Sequence, residues 1–226
     1  MNGSSQRDSA RPGLAARGHR PLAVVFDVWS DYLCPWCHVA ATRLSALERE
    51  FEGALALRWK SYLLRPRPEP GRDLEKFRRY TQRWRRAAEE EPAAGFQVWS
   101  SDEGPPTHSV PPQLVAKAAA ALGPSAFASI HAALLHAYFV ANRDISRRHT
   151  LAAIWREAGL PEAGLARAED PELLRRVIAE HEEAVELGVG GVPAVRLAGS
   201  DVAITGAQPT ESYRRWIRRC LEANPR

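Results

Sequence analysis

Residues 31–38 read Asp-Tyr-Leu-Cys-Pro-Trp-Cys-His, and the cysteines at 34 and 37 fit three chemistries. Cys-x-x-Cys is the spacing of a thiol–disulfide exchange pair, and with a following histidine it is also a c-type haem attachment signature. Two thiolates at this spacing are, in addition, half of a structural zinc site. The flanking residues choose among them. Residues 21–30 form a short run in which Val24, Val25, Phe26, Val28 and Trp29 are β-branched or aromatic, the composition of a strand. After the motif, Ala40, Leu44, Leu47 and Phe51 recur at helical spacing, and Gly53 stands where a helix should stop. Leu55, Leu57 and Trp59 then alternate with Ala56, Arg58 and Lys60, which predicts a second strand. The order is strand, Cys-x-x-Cys, helix, strand, with the cysteines at the N-terminal end of the helix.

A haem would need export, a second axial ligand and a crevice. The sole methionine is Met1, which removes the Met/His ligation common in cytochromes c and leaves only another histidine for that role. A structural zinc needs four ligands, and His108, His131, His136, His149 and His181 lack the paired spacing of a zinc finger. Neither metal nor haem is therefore expected. Redox exchange suits the context, because the partial positive charge at a helix N-terminus stabilises a thiolate. Cys34 is the expected nucleophile and Cys37 the resolving thiol that attacks the mixed disulfide. Pro35 fixes the turn, and Trp36 completes the dipeptide that tunes thiolate stability. His38 has two readings: a positive charge beside the pair, or a polar helix residue.

The 226 residues allow one domain of good size, or one domain with an insert, and can bury a core without disulfide staples. Three cysteines exclude a disulfide scaffold. A formal charge of +4 with 27 acidic residues permits an acidic partner without requiring one. Residues 1–20 are rich in Gly, Ser and Arg and hold no apolar stretch of signal-peptide length; they are expected to be a disordered leader. No apolar run is long enough to span a membrane. The expected location is the cytoplasm, where a cysteine pair is catalytic or metal-binding more often than structural.

Past a Pro/Arg-rich bridge at 65–71, the pattern is helical for about a hundred residues. Phe77, Tyr80, Trp84 and Ala88 form one stripe over 72–91, and residues 65–86 hold nine Lys/Arg against three acids. Aromatics interleaved with arginines suit nucleic-acid binding. They suit a solvated face over inward-packed aromatics better, so no nucleic-acid partner is expected. Residues 105–112 read as a loop, followed by helices over 113–122, 125–142 and 147–158. Asp170-Pro171 caps a further helix that runs to Leu187, with Gly188 beyond its end. Strands over 194–197 and 202–205 flank Gly199-Ser200 as a hairpin, and a helix over 211–222 closes the chain. Cys220 falls on the apolar face of that helix and reads as a packed small hydrophobe. Pro193, in Gly-Val-Gly-Gly-Val-Pro-Ala (188–194), sits at a strand edge. It implies a special turn, of which a cis Val192–Pro193 bond is one form, or else an ordinary loop proline.

Three segments together, VWSDYLCPWC (28–37), AYFVANRDIS (137–146) and GVPAVRLAGSDVAITGAQP (191–209), resemble the DsbA-like branch of the thioredoxin superfamily. Within it they are most similar to FrnE-type disulfide oxidoreductases, relatives of 2-hydroxychromene-2-carboxylate isomerases and kappa-class glutathione transferases. The resemblance runs from Val24 to about Leu221. It implies an α/β thioredoxin-like fold interrupted by an all-helical insertion. Residues 21–65 and 188–226 would form the thioredoxin-like part and 66–187 the insertion, with the last inserted helix assignable to either.

The same resemblance implies site roles. Cys34 matches the nucleophile, Cys37 the resolving thiol, and Pro193 the cis-proline facing them, while the backbone of Val192 pairs with an extended substrate peptide. Trp36 and His38 would flank that substrate. Asp27 resembles the acid placed under the dithiol to relay a proton, with burial raising its pKa; the other reading is an edge-strand carboxylate in water. The implied substrates are disulfide-containing proteins or small thiols, with no bound cofactor and with glutathione or another cellular thiol as reductant. Two alternatives stay open: a glutathione-dependent transferase or isomerase, whose relatives carry serine in place of Cys34, and a redox-sensing peptide-binding or chaperone-like module.

Overall fold

The strand ahead of the dithiol forms over Val24–Ser30 (β1) in the computed structural model, which describes residues 24–223. The expected leader, and residues 21–23 of the expected strand, lie outside the described residues. Pro35 opens helix α1 (Pro35–Glu50), with Cys34 as its N-cap. Strand β2 (Leu55–Ser61) then returns parallel to β1. At the far end of the chain, β3 (Ala194–Leu197) runs antiparallel to β1, and β4 (Ala203–Thr205) pairs with β3 through the expected hairpin. Gly199 carries the hairpin's positive φ of 83°, a conformation a residue with a Cβ rarely adopts. The sheet order is β2-β1-β3-β4.

Side chains alternate across β1 and build two layers. Phe26 and Val28 are fully buried with Leu44 and Leu47 of α1, Val195 of β3, and Tyr213 and Ile217 of α9 (Thr210–Ala223). Trp29 turns to the opposite face, against α8 (Pro171–Glu186), where its indole N–H donates to the Glu180 carbonyl. Helix α8 therefore covers the sheet on one side, and α1 with α9 covers it on the other. The cap expected at Asp170 is present, its carboxylate accepting from the Glu172 N–H at 2.8 Å.

Between β2 and α8 the chain is helical: α2 (Leu74–Thr81), α3 (Trp84–Glu90), α4 (Val110–Ala120), α5 (Pro124–Phe139), α6 (Arg148–Glu157) and a short α7 (Glu162–Leu165). Their core is built on Trp84, Trp99, Ile130, Leu134, Phe139, Ile154 and Trp155, and it continues into Tyr32, Leu33 and Ala41 beside the dithiol. Three sequence expectations change here. The single helix over 72–91 is two helices, because the Thr81 hydroxyl donates to Arg78 O and accepts from Trp99 N–H, tying the chain into the core at the break. Phe77 and Trp84 pack inward as expected, but Tyr80 faces out, under the Arg83 guanidinium. The prolines of the expected loop 105–112 are divided: Pro111 and Pro112 stand in the first turn of α4, where a missing N–H does no harm. Among the described residues no helix is long and apolar enough to cross a membrane.

Candidate active site

The dithiol sits where β1 hands over to α1. Cys34 is extended (φ −94°, ψ 116°), Pro35 follows at the first helical position, and Cys37 N–H donates back to Cys34 O at 3.0 Å. That turn brings both sulfurs to one helix end. Cys34 Sγ–H donates to the Val192 carbonyl at 3.3 Å, which joins the dithiol to the loop before β3. The Val192–Pro193 bond is cis, and Gly206 N–H holds Pro193 O at 2.8 Å. Cys37 lies fully buried behind Cys34. Burial, followed by the adjacent Cys34 sulfur, pushes the Cys37 thiol well up, while the Asp31 N–H donated to its sulfur at 3.5 Å opposes this. Trp36 is half-buried in the first turn between the two cysteines.

Two of the expected tuning residues behave otherwise. Asp27 is buried, but it lies on the α8 side of the sheet, its register partners being Arg58 on β2 and Arg196 on β3. Arg58 Nε reaches its carboxylate at 2.6 Å, Arg196 Nη2 at 2.8 Å, and Lys60 Nζ lies at 3.8 Å. Burial raises the carboxyl's pKa, but the two guanidinium bonds and Lys60 outweigh it, so Asp27 is held below the usual range. The expected proton relay is corrected: Asp27 is a locked carboxylate in an ion cluster. His38 is corrected likewise. It is buried, its Nε2–H donates to Ala94 O at 2.8 Å, and its ring stacks on Phe139 at 5.2 Å. Burial brings its pKa down to about 4, so near neutral pH the ring is uncharged and supplies no cation to the dithiol. Its contacts run to the helical body, and the reading as a polar helix residue is the one that stands.

Asp31 escaped the sequence reading. It is fully buried three residues before Cys34, and its carboxylate accepts from Leu33 N–H at 2.7 Å and Leu64 N–H at 2.6 Å. Its own carbonyl accepts from Cys34 N–H, and its own N–H meets Cys37 Sγ. One residue thus ties the loop after β2 to both cysteines. Burial pushes its carboxyl pKa up against these hydrogen bonds. An aspartate two residues before a turn N–H is a recognisable Asx-turn signal, and it was present in the sequence.

A cleft of about 500 Å3 begins beside Leu33 and is lined by Arg65, Arg72, Lys76 and Tyr80. Arg65 pairs with Glu69, and Arg72 donates to Pro106 O at 2.7 Å. Among the described residues no three His, Cys, Asp or Glu side chains converge as a metal site.

Solved structures share this architecture. DsbM from Pseudomonas aeruginosa, a cytosolic disulfide reductase solved with glutathione, is 23% identical and superposes with a TM-score of 0.70 over 88% of this chain and 100% of its own. A Nitrosomonas europaea protein, provisionally classed as a protein disulfide isomerase, is 19% identical with a TM-score of 0.74 over 90% of this chain and all of its own. A 2-hydroxychromene-2-carboxylate isomerase is 15% identical with a TM-score of 0.61 over 88% of this chain and 97% of its own. At these identities the likeness establishes the fold, which is the expected thioredoxin-like α/β fold with a helical insertion. No curated protein matches the chain significantly. The family model described as a DSBA-like thioredoxin domain matches residues 25–218. By fold, by dithiol and by that match, the chain belongs to the DSBA-like thioredoxin domain family.

Proposed function

We propose that this chain is a thiol–disulfide oxidoreductase that uses Cys34 and Cys37 on protein or small-thiol disulfides. The observation that carries the reading is the asymmetry of the pair. Cys34 caps α1 against the Val192 carbonyl, whereas Cys37 is buried behind it with its thiol stabilised in the protonated form. The Cys34 thiolate attacks one substrate sulfur, forming a mixed disulfide and expelling the other sulfur as a thiolate. Cys37 then loses its proton to that leaving thiolate and attacks Cys34 Sγ, releasing the second substrate thiol. Two electrons pass from the dithiol to the substrate, and a Cys34–Cys37 disulfide remains. Asp31 positions both cysteines and offers its N–H to the Cys37 sulfur as negative charge develops there. The backbone at Val192 aligns an extended substrate beside Cys34.

Glutathione is the reductant we favour for the resulting disulfide. Arg65, Arg72 and Lys76 in the cleft beside Leu33 are a suitable set for its carboxylates, and the P. aeruginosa relative was solved with glutathione. A cytoplasmic setting, where glutathione is reduced, makes net disulfide reduction the working direction.

The test is to incubate Cys37→Ser with oxidised glutathione and with a reduced–reoxidised model protein, then analyse the products by intact mass. A stable adduct at Cys34 is expected, while the wild type turns over and Cys34→Ser does neither. A wild type that binds peptide but never exchanges a disulfide would reduce the pair to a sensor. Conjugation or isomerisation surviving in Cys34→Ser would favour the transferase branch.

A further inference from the structure

A second cavity, of about 360 Å3, opens between α1, β2 and α5, and neither motif cysteine lines it. That size lies within the range of about 300–1,000 Å3 usual for small-molecule sites. Two imidazoles line it at buried positions, His38 and His131, only 8% and 6% exposed. Each ring has one nitrogen engaged and the other buried without a partner. His38 gives its Nε2–H to Ala94, which leaves Nδ1 as a bare acceptor; His131 Nδ1 meets the Tyr32 hydroxyl at 2.8 Å, and its Nε2 meets nothing.

Counting hydrogens fixes the tautomer of His131. If the Tyr32 hydroxyl donates to Nδ1, a single donor, Nε2–H, is left over. The reverse arrangement strands both the phenol hydrogen and the Nε2 lone pair. Nε2 is therefore a donor, and burial keeps the ring neutral by bringing its pKa down to about 3. An orphaned, buried N–H is disfavoured and is relieved by an acceptor atom placed in the cavity. Around that donor the walls are aromatic. Trp59 lies 4.4 Å and Phe127 5.3 Å from the imidazole, centroid to centroid, while exposed Ala128 and Arg49 stand at the lip.

We propose that this cavity binds a small planar aromatic molecule bearing one acceptor oxygen, of the aryl ketone type, with the oxygen on His131 Nε2–H and the ring against Trp59 and Phe127. The aromatic walls supply stacking area, and the single donor fixes orientation. This site is independent of the disulfide chemistry: no bond is made or broken in it. It lies close to that chemistry all the same, since His38 follows Cys37 and His131 holds Tyr32, two residues before Cys34.

The experiment is calorimetric titration of the reduced full chain with acetophenone and, as the arm lacking oxygen, ethylbenzene. Acetophenone is expected to bind one to one and at least tenfold more tightly. His131→Phe keeps the ring and removes the donor, so it should bring the two affinities together. Ala128→Trp, made at an exposed lip position, should abolish binding of both while far-UV circular dichroism and disulfide exchange stay unchanged. Three outcomes would overturn the proposal. Equal wild-type affinities would mean that water satisfies Nε2 and the space is only an apolar void. Absence of saturable binding would mean no site, and binding untouched by Ala128→Trp would place it elsewhere.

Discussion

Cys34 Sγ stands 3.3 Å from the Val192 carbonyl, two residues 158 positions apart in the chain. The contact holds the thiol against the one stretch of backbone, the approach to β3, that could align an extended substrate. Everything between them in sequence, the helical insertion and α8 included, must be folded before the pair exists. The chemistry is therefore a property of the closed fold, and the two cysteines are unequal within it.

That inequality predicts selective alkylation. With iodoacetamide at pH 7 under native conditions, peptide mass spectrometry should find the motif label on Cys34 and none on Cys37, which is fully buried and whose thiol is pushed up by burial and by the neighbouring sulfur. Denaturant should expose Cys37 to the same label. Equal labelling of both cysteines in the folded protein would contradict the proposed order of attack.

Asp27→Asn separates structure from catalysis. The substitution leaves Arg196 and Lys60, 13% and 15% exposed, without their carboxylate, whereas Arg58 at 58% can turn to water. Breaking a buried pair costs about 3–5 kcal/mol, and the exposed arginine argues for a smaller loss here, about 1–3 kcal/mol. The folded carboxyl titrates below its unfolded value, so its contribution is fully present above about pH 4 and fades as pH falls through the lower folded value. Urea unfolding at pH 7 and pH 3 should show the gap between variant and wild type narrowing in acid. Disulfide exchange by the folded variant at pH 7 should change less than about twofold; a tenfold loss would restore Asp27 to the mechanism.

Much of this site could be read from the chain alone because its parts are local. A strand of period two, a Pro-led helix start and a Gly/Pro-rich approach to a strand each announce themselves within ten residues. The tuning residues could not be read in this way. Asp27 looked buried because Phe26 and Val28 are apolar, yet the same alternation sends it to the opposite face, where β2 and β3 bring Arg58 and Arg196 into register with it. Those arginines were visible; the antiparallel register of β3 against β1 was not. His38 owes its neutrality to Ala94, Phe96 and Phe139, all supplied by the insertion. Asp31 owes its grip to Leu64 N–H, 33 residues on. Long-range partners decide electrostatics, and a linear pattern does not contain them.

His38 makes stability pH-dependent in a specific direction. Its folded pKa is about 4 against an ordinary value near 6.5, so below pH 6.5 the unfolded chain binds the extra proton. The stabilisation is complete above about pH 6.5 and is lost as pH falls toward 4, amounting to about 2 kcal/mol at pH 5. His38→Phe retains the stack on Phe139 and removes the titration. Its urea midpoint should lie below the wild type at pH 7, where the Ala94 hydrogen bond is lost, and the deficit should shrink or reverse at pH 5. A deficit that is constant with pH would show the ring titrating normally in the fold.

Gly164 tests the packing of the short helix that the periodicity did not announce. A Cβ built there would come within 2.8 Å of the Trp155 ring and 2.9 Å of a Leu122 methyl. Trp155 is fully buried and its indole N–H is spent on Pro161 O at 3.0 Å, so the ring cannot swing aside without abandoning that bond. Leu122, 41% exposed, can yield. Gly164→Ala should therefore destabilise the protein by about 1–3 kcal/mol through overpacking, outweighing the usual gain of alanine over glycine in a helix. Leu122→Ala made in the same chain should recover only part of the loss, because the contact with Trp155 remains. The measurement is urea unfolding of the wild type, both single variants and the double variant, followed by tryptophan fluorescence. A Gly164→Ala protein as stable as the wild type would mean that α7 stands farther from Trp155 than this packing requires.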